Sequence, residues 1–303
     1  MLYNDREFSA QTNSDELSSG RSHTLHQYLF FIGDFPIRAY GLVLSLSIIL
    51  ATGVAYYLAK ADGRWHEHVV DMGIYCGLAG ILGARLWDVF FFDWAYYHDH
   101  LTELLNVWQG GMAIQGGVLL GVIVGFIYTK RHGIDTWAFA DIVCPAIVLG
   151  QGLGRCANLL NGDAFGAPTG GSFGILYPST TLAYQTYGAQ PLWPAEVWEG
   201  QLDFVIFALL LIYRAVGPHV KGQTFALYVI LYSAARFCLE YLRGDYTNLV
   251  LGIFKSAQMT SVVTFSVAFI AWLALGFHAR WREAQKEDEQ IHRPNRNRAK
   301  GKN

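Results

Sequence analysis

Apolar residues run along this chain in long blocks separated by short polar connections. The blocks predict helices at Tyr40–Ala59, Val69–Phe92, Met112–Thr129, Trp137–Gly152, Leu202–Tyr213, Gln223–Leu242 and Gln258–Phe277. Most approach the ~20 residues that crossing a bilayer needs; the fifth is short, with an earlier start near Pro194 allowed. Hydrocarbon demands that a spanning segment satisfy its own backbone, which a helix does. The pattern thus predicts an all-α polytopic membrane protein of about seven transmembrane helices. Residues 1–26 are a polar segment expected to be disordered, 27–280 a single transmembrane domain with a large outward loop at about 158–201, and 281–303 a basic tail. Gly73/Gly77, Gly117/Gly121/Gly125 and Gly150/Gly154 are small-xxx-small runs expected to let helices pack closely.

Composition agrees with that picture. The chain is 52% hydrophobic and only 15% charged, against roughly a quarter charged in soluble proteins. The net charge of −2 says little, because the distribution between sides carries the information. Lys60, Arg64, Lys130, Arg131, Arg214, Lys221 and eight basic residues from Arg280 onward fall on one side, fourteen in all. The other side has Arg6, Arg21 and Arg38, with Arg155, Arg243 and Lys255 in or near its loops. The positive-inside rule therefore places the C-terminus in the cytoplasm and the N-terminus outside. Acids interrupt the basic tail, which favours topology anchoring over nucleic-acid binding. Cys76, Cys144, Cys156 and Cys238 lie far apart in or beside apolar segments and read as buried free thiols. No metal-ligand spacing, phosphate-loop signature or internal repeat occurs, so neither a metal, a nucleotide cofactor nor a repeat-built transporter is implied.

Polar groups at bilayer depth are costly unless paired or used. Leu149–Gly166, LGQGLGRCANLLNGDAFG, sets Arg155, Asn158 and Asn161 among small residues, a guanidinium fork with amides suited to gripping a phosphate. In the sixth helix Tyr232, Arg236, Glu240 and Arg243 share one stripe. Glu240 is within reach of both arginines, and one acid for two arginines leaves the stripe positive. Arg85 and Asp88 are spaced for an ion pair, read as a structural clamp. Gln115 in GGMAIQGG would donate to a phosphate or to a neighbouring helix. Trp193 and Trp198 of LWPAEVWE read as membrane-belt tryptophans. Arg155, Arg236 and Arg243 together make a plausible anion cage at the outer leaflet, and the residues alone carry the reading as far as a membrane protein that binds a phospholipid.

The motifs that build this cage resemble a known family. GLGRCANLLNGDAFG is similar to the signature of bacterial prolipoprotein diacylglyceryl transferases, G-R-x-G-N-F-x-N-x-E. RAYG at Arg38–Gly41, GARL at Gly83–Leu86, GGMAIQGG, WPAEVWE at Trp193–Glu199 and YSAARFCLEYLR at Tyr232–Arg243 follow in the family's order. The resemblance implies transfer of diacylglyceryl from phosphatidylglycerol to the lipobox cysteine thiol of a prolipoprotein, giving a thioether and glycerol phosphate. It implies a multi-pass protein of the bacterial inner membrane, among membrane lipids, with no cofactor. Arg155 would bind the lipid phosphate, Asn158 and Asn161 would help position the head group, and Arg236 would assist departure of the phosphate. Tyr40 and Gly166 match residues needed near the site; Tyr232, Glu240 and Arg243 match the flanking group. Gln115 stands where many members have the histidine of H-G-G, so Asp163 or Glu196 becomes the replacement base. H-P-[ST]-Q-L-Y-E becomes Trp193–Glu199. These departures keep an alternative in view: a divergent paralogue with another acceptor, or a non-catalytic phospholipid-binding protein.

Overall fold

The computed structural model describes residues 28–32, 35–104, 106, 111–217, 219–245, 249–250 and 254–291. The expectations for the first 26 residues, for Gly110 and for the tail beyond Ile291 lie outside them. Each apolar block is a helix, in order: α1 Ala39–Ala61, α2 Glu67–Trp87, α4 Ile114–Arg131, α5 Thr136–Asn161, α7 Ala195–Ala215, α8 Gln223–Leu239 and α9 Ser256–Ile291. Two short helices, α3 Trp94–Tyr97 and α6 Leu182–Tyr187, lie between them. By length and composition α1, α2 with its extension to Phe92, α5 and α9 are long and apolar enough to cross a membrane, and α8 is a shorter apolar helix.

The helical reading needs two amendments. Antiparallel strand pairs β1 Tyr28–Ile32 with β2 Phe35–Arg38, and β3 Leu249–Val250 with β4 Phe254–Lys255, are short and were hidden by the longer apolar period. The connection expected at about 158–201 is also shorter. Polar residues up to Asn161 continue α5, and α7 begins at Ala195, because inward-facing acids do not interrupt a helix whose other faces are apolar.

The chain divides into two compact units. The first holds the described part of Met1–Ile49 with Val148–Ala208 and Val229–Ser266; the second holds Leu50–Ile147, Leu209–Tyr228 and Val267 onward. In the first, Phe165, Tyr177, Ala183 and Leu192 form a core for the loop between α5 and α7. In the second, Ala55, Ala59, Val69, Tyr128, Ile134, Phe139, Ile142 and Ala146 pack together. Outside these cores the helices expose large apolar side chains, among them Ile49 at 65%, Phe91 at 68% and Ile270 at 66%. Apolar surface on that scale suits a hydrocarbon solvent rather than water.

Within the second unit α2 and α4 cross at glycines. A β-carbon on Gly83 would collide with the Gly116 carbonyl, and one on Gly116 with the Gly83 carbonyl. The run Gly117/Gly121/Gly125 lies along this contact, whereas Gly77 and Gly154 of the expected runs have open space around them. Beyond α2 the helix widens into a π turn, Asp88–Phe92. Arg85, 1% exposed, donates to the carbonyls of Leu104 at 2.9 Å, Gly111 at 3.0 Å and Glu103 at 2.7 Å, and lies over the Tyr97 ring. It ties the following loop to the helix through backbone carbonyls. Gly111, at φ +68°, leaves room for the Asp88 carboxylate and the Arg85 fork.

Gly116→Ala should destabilise the detergent-purified protein by the ~1–3 kcal/mol of an overpacked core and so lower its thermal midpoint, while Gly77→Ala leaves it in place. Equal midpoints for the two variants would show that the glycine crossing is not a close contact.

Candidate functional site

The first unit gathers the polar residues of α5, α7 and α8 around one carboxylate. α5 carries Arg155, Asn158 and Asn161 on its last two turns, then stops at Gly162, whose φ of +71° suits a residue without a side chain. A β-carbon there would also strike Thr181. The freed Asn158 carbonyl accepts from the amides of Gly162 at 2.9 Å and Asp163 at 3.2 Å. That turn brings Asp163 back beneath its own helix. Asn158 Nδ2 donates to one carboxylate oxygen at 2.8 Å and Asn161 Nδ2 to the other at 3.1 Å. The two amides and the acid are therefore one local unit. Tyr40, on the first turn of α1, is within electrostatic reach of Asp163 and Arg155.

α7 approaches α5 where both are glycine. A β-carbon on Gly200 would press within 3.2 Å of the Arg155 β-carbon and the Gly152 carbonyl, and one on Gly152 would crowd Asp203 and Phe204. This contact sets Glu199, 2% exposed, against the arginines. Arg155 Nη2 reaches Glu199 Oε1 at 2.5 Å, Arg236 Nη1 reaches Oε2 at 3.1 Å, and Arg243 Nη1 approaches Oε2 at 3.5 Å. Arg236 Nη2 lies 2.9 Å from Glu240 Oε2, a charge contact without hydrogen-bond alignment, since neither Glu240 oxygen has a hydrogen-bond partner among the described residues. Arg243 grips Asp245 through Nε at 2.9 Å and through Nη2. Lys255 closes the turn after α8 by donating to the carbonyls of Glu240 at 2.9 Å and Arg243 at 2.6 Å.

Glu240 pairs with Arg236 and acts electrostatically on Arg243, as the spacing within the sixth block predicted, and Glu199, from another helix, faces both arginines as well. The positive excess expected of that stripe is largely offset. Arg155, Arg236 and Arg243 face Glu199, Glu240 and Asp245, and Lys255 binds backbone. What remains for a ligand is donors rather than bare charge. Arg155, with 20% of its side chain exposed, bonds only Glu199 among the described residues, which leaves the rest of its fork unoccupied. Arg236 is 15% exposed and Arg243 only 5%. Tyr232 stands within electrostatic reach of Arg155, Arg236, Glu199 and Asp203.

Gly166 has a backbone task. Its amide donates to the Trp193 carbonyl at 3.1 Å, it pairs with Arg243 as an isolated bridge, and a β-carbon would collide with Trp193. The two replacement bases are both engaged. Asp163 holds two amides, and Glu196, fully buried, accepts from the Tyr177 hydroxyl while its Oε2 has no partner among the described residues. Burial first, and the neighbouring acid second, push the Tyr177 phenol well above its ordinary range, so Tyr177 remains the donor. Gln115 is exposed on the first turn of α4 and belongs to the second unit.

Glu199, Asp203, Tyr177, Asp245 and Lys255 were not singled out as site residues from sequence. One signal was present for the first two. Glu196, Glu199 and Asp203 fall at i, i+3 and i+7 in an apolar helix, the same stripe pattern that marked Arg236 and Glu240.

Replacing Glu199 by Gln removes the charge that three guanidinium groups share. Breaking one side of a buried ion pair costs about 3–5 kcal/mol, so the thermal midpoint in detergent should fall well below that of the parent. An unchanged midpoint would show that the arginines do not depend on Glu199.

Comparison with known proteins meets this geometry from the other direction. The family description prolipoprotein diacylglyceryl transferase matches residues 27–274. Curated proteins named phosphatidylglycerol–prolipoprotein diacylglyceryl transferase are similar over most of their length. One from Trichormus variabilis is 32% identical over 249 residues, 80% of this chain and 87% of that one. One from Geobacillus kaustophilus is 32% identical over 267 residues, 88% and 97%. One from Staphylococcus aureus is 32% identical over 254 residues, 82% and 89%. The matched span includes every helix that contributes to the arginine cluster, and the chain belongs to the prolipoprotein diacylglyceryl transferase family.

Proposed function

We propose that the protein transfers the diacylglyceryl group of phosphatidylglycerol to the lipobox cysteine of a prolipoprotein, at the outer face of a bacterial inner membrane that it crosses seven times. The observation that carries this reading is the Arg155 fork, fixed by Glu199 through one nitrogen and otherwise unpartnered among the described residues, beside Arg236. In the reaction the thiol sulfur forms a bond to the glyceryl carbon while that carbon's bond to the phosphate oxygen breaks. The phosphate gains a negative charge as it leaves. Arginine donors aimed at that oxygen lower the barrier because they are stronger where charge develops. The thiol must lose its proton to become the nucleophile.

An amide at position 115 cannot accept that proton. Asp163 and Glu196 each already hold hydrogen-bond donors. The departing phosphate monoester, whose second ionisation lies near pKa ~6, supplies an acceptor of its own. In this reading Asn158 and Asn161 fix Asp163 and through it the end of α5, while Arg155 and Arg236 meet the lipid. Orientation follows from Lys60, Arg64, Lys130, Arg131, Arg214 and Lys221 on the opposite connections, which favour a cytoplasmic C-terminus.

Purified protein in detergent, given phosphatidylglycerol and a lipobox peptide, should add one diacylglyceryl mass to the cysteine. Arg155→Ala should slow the transfer by roughly 10²–10³-fold, the scale for losing one donor to a developing anion, when assayed below its own thermal midpoint. No mass gain from the parent protein overturns the reading in favour of the acceptor-changed or lipid-binding alternative.

A further inference from the structure

Between α8 and α9, within the first unit, lies a groove of about 270 Å³. Ala234, Phe237 and Cys238 of α8 and Val262 and Phe265 of α9 line it, with three serines. The serines do not make it polar. Ser261 donates to the Ala257 carbonyl at 2.8 Å, Ser266 to the Val262 carbonyl at 2.8 Å, and Ser233 is paired with Thr264 at 2.8 Å. Their hydroxyls are taken by the helices themselves, so hydrocarbon faces the groove. A polar ligand would find these hydroxyl hydrogens already committed.

The groove adjoins the arginine cluster. Ser233 and Arg236 are at i, i+3 on α8, as are Phe237 and Glu240, and residues so spaced are neighbours on a helix surface. The lined stretches, Ser233–Cys238 and Ser261–Ser266, each rise about 7.5 Å, starting beside the end of α8 where Arg236 meets Glu199. The volume is below the ~300–1,000 Å³ of pockets that hold a whole small molecule, which suits part of a ligand whose remainder lies elsewhere. We propose that this groove seats one acyl chain of the phospholipid whose phosphate is held at Arg155 and Arg236. The assignment rests on the proposed function for the position of that phosphate.

Ala234 and Cys238 are both exposed, which makes the test mild on the fold. Ala234→Phe fills the groove from its open side. It should raise KM for dioleoyl-phosphatidylglycerol roughly tenfold, the effect of losing about two buried methylenes, with kcat unchanged. KM for dibutanoyl-phosphatidylglycerol, too short to fill the groove, should stay the same. Independently of transfer, dioleoyl-phosphatidylglycerol should slow alkylation of Cys238 by N-ethylmaleimide several-fold more than dioleoyl-phosphatidylcholine does, read by peptide mass spectrometry on the full chain so that Cys156 is scored separately. Equal protection by the two lipids marks a general bilayer contact and overturns the proposal, as does an equal KM change for long and short chains. If no transfer occurs at all, Cys238 protection still reads the groove, so the two readings fail separately.

Discussion

Glu199 is the residue on which the rest of the site depends. It brings a buried carboxylate from α7 to guanidinium groups from α5, α8 and the turn after α8. Without it three arginines would face one another in a poorly solvated place, and their repulsion would drive the helix ends apart. Such a cluster is weak evidence for net stability, because desolvation consumes most of the Coulomb gain. Its effect is geometric: it selects the arrangement in which all three forks point at one spot. The glycines at 152 and 200 matter for the same reason, since any side chain there would push α7 away and take the carboxylate out of reach.

This arrangement changes the account of anion binding. An excess of positive charge along α8 was the natural reading of Arg236, Glu240 and Arg243, but Glu199 and Asp245 largely offset it. A cluster whose arginines are matched by acids draws an anion from afar only weakly. It offers oriented donors held in a low-dielectric setting, where charge-assisted bonds are strong and no reorganisation is needed. Such a site discriminates by geometry, and so favours a group in which charge is growing over one that merely carries it. The carbonyls at the end of α8 would oppose any anion, and Lys255 answers them by donating to two.

The helices were legible because membrane spans announce themselves by composition, and every apolar block is a helix in the expected order. Their ends were less so. α5 runs nine residues past Gly152 and α7 starts seven residues before Leu202, in both cases through polar side chains facing the cluster. Hydropathy averages over faces and therefore trims a helix wherever one face turns polar. For the site, Arg155, Arg236 and Arg243 stood out because an intramembrane arginine is rare. Their common partner did not, because the pairing joins residues 155, 199, 236 and 243, and local spacing shows only partners within one helix. Asn158 and Asn161 were read as facing a ligand; the left-handed turn at Gly162, which folds Asp163 back onto them, was not visible as such in the sequence.

The departures within Trp193–Glu199 become intelligible as one packing event, separate from Gln115. Trp193 replaces a histidine and Trp198 a tyrosine, and in the structure their rings lie 5.7 Å apart with Phe173 5.7 Å and 6.4 Å from them. Aromatic rings at such distances pack edge-on or offset and gain from one another. The Trp193 backbone meanwhile exchanges hydrogen bonds with Gly166 and Ala167, which carries the cluster's position to the turn holding Arg243. Glu196, the third departure, is one turn into α7 and is matched by the Tyr177 hydroxyl. These three changes thus meet their partners within the loop between α5 and α7 or the first turns of α7. None of them touches the Arg155–Glu199–Arg236 bonds, so the aromatic packing and the arginine cluster can change independently of one another.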